Sequence, residues 1–138
     1  MRQPDLTLLI LTAALAAGGA GCKRQEAKVV EVTKVVDQSF KTAEPEARQV
    51  VAAAAVTLQA AAKESDIPRR REGYIQVLVP LKNMVARGNL SREQIQAIHK
   101  VFNEVAQAVQ KDPRLNTKEL YNAQNALAQA LHEAGGWP

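Results

Sequence analysis

The sequence predicts an all-α fold, either an up-and-down bundle or two stacked helical hairpins, with about four helices. Apolar residues make up 46% of the 138 residues but aromatic residues only 4%, and such an alanine- and valine-rich mixture suits closely packed helices. Four segments place apolar residues three and four positions apart, which is helical periodicity. Prolines and capping signals separate these segments. The length allows one domain with one core.

An export signal precedes the predicted bundle. Residues 6–17 are apolar, Arg2 precedes them and small residues follow them, which is the layout of a secretory signal peptide. A transmembrane helix would need about 20 apolar residues, and Lys23 ends the run earlier. We therefore assign residues 1–21 to a signal peptide.

The three small residues before the only cysteine refine this assignment. The run Gly19-Ala20-Gly21 followed by Cys22 resembles the lipobox of bacterial lipoproteins, although Gly19 stands where that family usually has leucine. The resemblance implies cleavage after Gly21, with Ala20 as the small residue ahead of it, and a lipid on the Cys22 sulfur. The alternative is an ordinary signal peptide cut near Ala20, which would leave Cys22 as an unpaired thiol.

The resemblance also implies a location. Lipoproteins of this kind are held in the bacterial cell envelope by two or three acyl chains, since one chain binds a bilayer only reversibly. Lys23 follows the cysteine, where some Gram-negative families carry an aspartate that retains them at the inner membrane. The expected partner is therefore the membrane, and the periplasmic side of the outer membrane is favoured over the inner membrane.

Residues 22–43 are predicted to be a lipidated tether. Their valine-rich run is typical of a strand, yet Val29, Val32, Val36 and Phe40 also fall at helical spacing. No second strand candidate exists in the chain. The tether is therefore expected to be helical or irregular.

The bundle domain is assigned to residues 44–138. The first helix is predicted over residues 45–64, with Pro45 in its first turn, and the second over residues 69–87, closed by Gly88. Pro80 lies inside the second helix, where it removes a hydrogen bond and predicts a bend. The predicted core faces are Ala47, Val50, Val51, Ala54, Leu58, Ala61 and Ala62 in the first helix, and Tyr74, Val77, Leu78, Leu81, Met84 and Val85 in the second.

Two capping boxes predict where the last two helices begin. Ser91 with Gln94, and Asn116 with Glu119, have the spacing at which a cap and its partner bond each other's backbone. Leu90 with Ile95, and Leu115 with Leu120, have the spacing of hydrophobic staples. These helices are predicted to end at Asp112 and Gly135. The end of the third helix, with Ala108 and Pro113, loosely resembles the end of a tetratricopeptide repeat, and the mature part resembles small helical lipoproteins.

The sequence offers no constellation of catalytic residues. His99 and His132 stand on different predicted helices, without a second histidine or carboxylate four residues on, whereas a metal site needs three or four convergent ligands. No phosphate-binding loop or nucleophile elbow occurs. We therefore expect no enzyme, cofactor or metal. Few aromatic residues are present to stack on bases, so a nucleic-acid partner is not expected either.

Two surface features remain as candidate sites. Arg69, Arg70 and Arg71 begin the second helix, where the helix dipole disfavours positive charge. They are either a solvated helix start or a contact for an anionic membrane surface. Ala52, Ala53, Val56 and Ala60 cluster on the back of the first helix. They are either a product of helix propensity or a surface for another protein or a second copy of this chain.

The sequence therefore supports a membrane-anchored envelope lipoprotein that acts as a helical protein-interaction or structural module. The alternative is a small-ligand-binding or enzymatic domain with a pocket between its helices. A closed core with an exposed apolar face would favour the module, and a deep pocket lined by His99 or by the arginines would favour the alternative.

Overall fold

The computed structural model describes residues 20–135, with side chains from residue 24 onward. The described residues form five α-helices, one 3₁₀ helix and no strand, which confirms the all-α prediction. Most of the predicted signal peptide, residues 1–19, lies outside the described residues. The helices are α1 (Ala20–Ser39), α2 (Pro45–Lys63), α3 (Ile67–Arg87), α4 (Arg92–Lys111) and α5 (Lys118–Glu133), with the 3₁₀ helix at Pro113–Leu115 between the last two.

The five helices form a closed ring around one core. Helix α3 packs mainly against α2 and α5, α1 lies between α2 and α4, and α4 contacts α5 to close the ring. The consecutive helices α3 and α4 make little contact, because the connection through Gly88 and Asn89 carries the chain across the end of the bundle. Both residues have a positive φ, 82° and 65°, and glycine and asparagine tolerate that conformation best.

The segment predicted as a tether, residues 22–43, is largely helical and packs into the bundle. Helix α1 buries Val29, Val36 and Phe40 in the same core as the other four helices. The hydroxyl of Thr33, also buried, donates to the Val30 carbonyl at 2.9 Å and accepts from Gln59 of α2 at 3.0 Å. The strand preference of valine does not decide the structure here, because burial of the apolar side chains along one face of α1 outweighs intrinsic propensity.

The first two predicted bundle helices lie close to their predicted positions. Helix α2 ends at Lys63, one residue early, and α3 begins at Ile67, two residues early. The earlier start of α3 follows from its cap, since the Asp66 carboxylate accepts from the backbone N–H of Arg69 at 3.0 Å. Helix α3 continues through Pro80. Both Pro80 and Gln76, whose carbonyl loses its helical donor, are exposed, so water can reach that carbonyl.

The capping box that begins α4 is confirmed. The Gln94 backbone N–H donates to the Ser91 hydroxyl at 3.1 Å, and the Gln94 side chain accepts from the Ser91 N–H at 2.9 Å. The Gln94 amide also donates to the Ser39 carbonyl at the end of α1, at 3.3 Å. One side chain therefore caps α4 and ties it to α1.

The predicted cap of the last helix is wrong by one residue. Thr117, not Asn116, is the N-cap of α5, and its hydroxyl accepts from the Leu120 N–H at 3.4 Å. The reason is the 3₁₀ helix, which buries Leu115 completely and uses the Asn116 N–H for the Pro113 carbonyl at 3.0 Å. Asn116 therefore closes the 3₁₀ helix, and Glu119 has no capping box to complete.

Ser91→Ala is expected to lower the free energy of unfolding by about 1 kcal/mol, because the Gln94 N–H loses its side-chain acceptor. Urea unfolding followed by circular dichroism measures the change. Asn116→Ala is the matched control, since Asn116 is exposed and is not the cap, and it should cost less than about 0.5 kcal/mol. Equal losses in the two variants would contradict this assignment of caps.

Candidate interaction surface

The back of α2 is an apolar surface open to solvent. Ala52, Ala53, Val56 and Ala60, which the sequence singled out, are all exposed. Val56 has 69% of its surface accessible, more than any other large hydrophobic residue within residues 24–135. Valine is a weaker helix former than alanine and gains most when it is buried. An exposed valine on this face therefore contributes little to folding.

Helix α3 borders this surface, because it lies unusually close to α2. A Cβ placed on Gly73 would lie 3.0 Å from the Cβ of Ala61, so only glycine fits this crossing without displacement. Along the crossing runs a groove of about 430 Å³, whose lining includes Val56, Thr57, Ala60 and Gly73. On the outer side of α3, Val79 is 44% exposed. Val79 does not line the groove, whose α3 side consists of Gly73 and polar side chains, so the apolar part of this surface belongs to α2.

The rim of this groove carries charges of both signs. Glu64 stands at the end of α2, and Arg69 and Glu72 stand in the first turns of α3. An apolar floor with a mixed polar rim is the usual composition of a protein-binding surface. A surface for anionic lipid would instead need an excess of positive charge.

The three consecutive arginines do not form one cluster. Arg69 is exposed, whereas Arg70 donates to Gln25 of α1 at 3.1 Å and to the Tyr74 hydroxyl at 3.2 Å, with its guanidinium 5.7 Å from the Tyr74 ring centroid. Arg71 donates to the carbonyls of Arg114 and Leu115, at 2.8 and 3.3 Å. Arg70 and Arg71 therefore connect α3 to its neighbours, a role that the sequence did not reveal.

The turn that Arg71 holds contains an ion pair. Arg114 donates to the Asp112 carboxylate through Nε and Nη2, both at 2.8 Å. These hydrogen bonds hold the pKa of Asp112 below its ordinary value, and the same carboxylate raises the pKa of Arg114. A bidentate pair of this geometry is stronger than a single surface contact.

The histidines lie apart from this surface and from each other. The Nδ1 atom of His99 is 3.3 Å from the Asn103 amide nitrogen, and its ring centroid is 6.2 Å from that of Phe102. His132 is exposed in the last turn of α5. Among the residues that the structure describes, no three His, Cys, Asp or Glu side chains converge as metal ligands.

The interior of the bundle is closely packed. The void beside Thr33, which α1, α2, α3 and α4 line together, has a volume of only about 10 Å³, which is about the space of one water molecule. A second groove, of about 340 Å³, lies at the end of the bundle where α1 leads into α2 and is lined in part by Glu46, Arg87 and Gln94. Neither His99 nor the two connecting arginines line these spaces.

The predicted anchor residues lie at the start of α1. Ala20, Gly21 and Cys22 form the first turn of this helix, and their side chains are outside the described set. None of the helices between residues 20 and 135 has both the length and the apolar character needed to cross a bilayer. No protein-family model, curated protein or solved structure matches the chain.

The sequence reasoning missed Gly73, Gln25 and Gln59. Gly73 carried a usable signal, because a glycine inside a helix costs about 1 kcal/mol relative to alanine and so indicates a close contact. The two glutamines carried no such signal. Their roles depend on partners 45 and 26 residues away in the chain.

The ion pair predicts a pH dependence of stability. Because the pKa of Asp112 is lower in the folded chain, the contribution of the pair is present above the ordinary Asp pKa of about 3.9. It is lost as the pH falls through the lower folded value. Asp112→Asn should therefore lower the urea midpoint at neutral pH, and the difference from the parent should shrink below about pH 4.

Arg114→Gln is the complementary variant, since it removes the other half of the same pair. It should lower the urea midpoint with the same pH dependence. A difference from the parent that is equally large at neutral and at acidic pH would contradict the pKa assignment.

Proposed function

We propose that this chain is a membrane-anchored lipoprotein of the bacterial cell envelope, held by lipid on Cys22. Its helical bundle would act as a protein-interaction or structural module. The proposed location is the periplasmic side of the outer membrane rather than the inner membrane, because Lys23 occupies the position after the cysteine. The order of the segments supports the anchor, since the apolar residues 6–17 and the small residues before Cys22 directly precede a folded helical body.

One observation supports the interaction role above all others, which is the exposed apolar surface of α2 beside its groove with α3. It consists of Ala52, Ala53, Val56 and Ala60, together with the groove beside Gly73. Its small side chains would let a helix of another envelope protein, or of a second copy, approach closely. The closed core, with only a small void near Thr33, also favours a module over a ligand-binding or enzymatic domain, which would need a pocket with a few convergent polar groups.

Cys22→Ala is expected to abolish the incorporation of fatty acid and to release the protein from the membrane fraction or leave it uncleaved. The reason is that Cys22 is the only thiol in the chain. Growth with a tagged fatty acid, followed by fractionation, measures both effects. Gly19→Leu is the control, because it introduces the residue usual in a lipobox, and its labelled fraction should equal or exceed that of the parent. Label retained by Cys22→Ala, or absent from the parent, would refute the anchor.

Val56→Glu is expected to leave the fold intact, within about 0.5 kcal/mol, since the side chain is already mostly exposed. It should reduce self-association measured by light scattering, or recovery of a partner from detergent-solubilised envelopes, by at least about tenfold, because it buries a charge in an apolar contact. Val35→Glu is the matched control, an exposed valine on α1, and should change neither. If both variants retain the same mass and the same partner recovery as the parent, the interaction surface is wrong.

A further inference from the structure

Each of the five helices has one terminus at the same end of the bundle, which is the end where α1 begins. The bond from Arg70 to Gln25 places the start of α3 beside the start of α1. Lys63 lines a groove together with Glu26 and Ala27, which places the end of α2 there too. The bonds from Arg71 to the 3₁₀ helix add the end of α4 and the start of α5. We call this the basic end and define it as residues 24–27, 60–71 and 108–121.

The basic end has most of the excess positive charge of the described chain. It holds eight basic and five acidic residues, whereas the opposite end, residues 36–49, 84–94 and 130–135, holds four basic and five acidic residues. Apart from the consecutive Arg69, Arg70 and Arg71, these basic residues are widely spaced in the sequence, and the fold brings them to one end. The eight basic residues are Arg24, Lys63, Arg69, Arg70, Arg71, Lys111, Arg114 and Lys118.

Eight basic and five acidic residues give the basic end a net charge of +3, and few of its basic side chains are held in ion pairs. Among the described residues of the basic end, the one ion pair joins Arg114 to Asp112. Arg70 and Arg71 bond to neutral groups, an amide, a phenol and two carbonyls. The carboxylate of Asp66 caps the backbone of α3 and keeps its negative charge, which the net charge of +3 already includes. The field of this end therefore extends into solvent.

The opposite end is too far away to cancel that field. Helix α1 has 20 residues, so the bundle is about 30 Å long at 1.5 Å per residue. The Debye length at physiological ionic strength is about 8 Å. A planar surface that meets the basic end therefore interacts with its positive charge and not with the average charge of the molecule.

An aromatic side chain lies at the same end. Tyr121, in the first turn of α5, is 55% exposed, and it is one of only two tyrosines in the chain. Tyrosine is enriched where a protein meets the headgroup layer, because its ring is apolar and its hydroxyl is polar. A basic surface with an exposed tyrosine suits a lipid surface better than a nucleic acid, which needs several aromatic residues for base stacking.

We propose that the basic end docks on an anionic bilayer surface, so that the bundle stands end-on with α1 pointing away from the membrane. The inference rests on the proposed anchor in one respect, since a lipid on Cys22, two residues before Arg24, would bring this end to the bilayer. The recognising chemistry is that of lipid phosphates, which attract arginine and lysine.

The test uses the full chain with Cys22→Ser, so that no acyl chain contributes to binding, and the apolar residues 6–17 are the same in every variant that is compared. Cosedimentation is measured with phosphatidylcholine vesicles and with vesicles that contain roughly one third phosphatidylglycerol. The basic-end variant is Arg69→Glu with Lys118→Glu, two exposed side chains that form no ion pair with any other residue from 24 to 135. The matched control is Lys41→Glu with Arg92→Glu, which changes the net charge equally at the opposite end. Arg92 begins α4 as Lys118 begins α5.

The parent should prefer the anionic vesicles, and salt should weaken its binding. The partition coefficient of the basic-end variant should fall by more than about tenfold, since each basic residue near a charged bilayer raises that coefficient about fivefold. The control should change by less than about twofold. If circular dichroism shows that the basic-end variant is unfolded, Arg69→Gln with Lys118→Gln replaces it, with an expected loss of about fivefold per residue.

Equal decreases in the partition coefficients of the basic-end variant and the control would overturn the proposal, because net charge alone would then explain binding. Binding that is indifferent to phosphatidylglycerol would also overturn it, as would tighter binding to a short DNA duplex at the same salt concentration. The outcome is independent of lipidation, since the tested chain cannot be acylated. Failure of the fatty-acid experiment would remove the anchor and leave the docking surface to be judged by the vesicles alone.

Discussion

The close crossing of α2 and α3 at Ala61 and Gly73 is the contact on which the rest of the arrangement depends. With no side chain on Gly73, α3 can bury Tyr74, Val77, Leu78 and Leu81 toward the centre while it lies directly against α2. Helix α3 then serves both sides of the ring, with α2 on one side and α5 on the other. The same crossing creates the outer groove, so the feature that closes the core also shapes the surface that is available for a partner.

Polar side chains add specificity to this apolar framework. Gln59 and Thr33 join α2 to α1, Arg70 joins α3 to α1, and Gln94 joins α4 to α1. Three of the four other helices therefore have a hydrogen bond to α1. Because such bonds contribute only about 1 kcal/mol each, their main effect is on register. Each bond requires a particular group of α1 to face its partner, so together they favour the observed rotation of α1.

Local signals predicted most of the fold, and long-range contacts decided the rest. The Ser91 capping box and the apolar stripes of α2 and α3 depend on residues within one or two turns, so the sequence was sufficient to place them. The cap at Asn116 was misplaced because the 3₁₀ helix forms around Leu115, whose burial depends on distant residues. The exposure of the Val56 surface followed from its position on the helix. The positions of Arg70 and Arg71 could not be predicted in this way, because their partners lie 43 to 45 residues away.

The helical start of α1 limits how far the folded bundle could lie from an anchor on Cys22. A flexible tether over residues 22–43 would span roughly 25 Å on average, at 5–6 Å times the square root of its length. In the structure the helix already includes Cys22, so a chain anchored there, as we propose, would have almost no slack between the lipid and the folded body. Such a protein would not search the periplasm for a partner. It would meet partners that diffuse in the same membrane plane, with the α2 surface presented sideways at a fixed height, so that encounters would be confined to two dimensions.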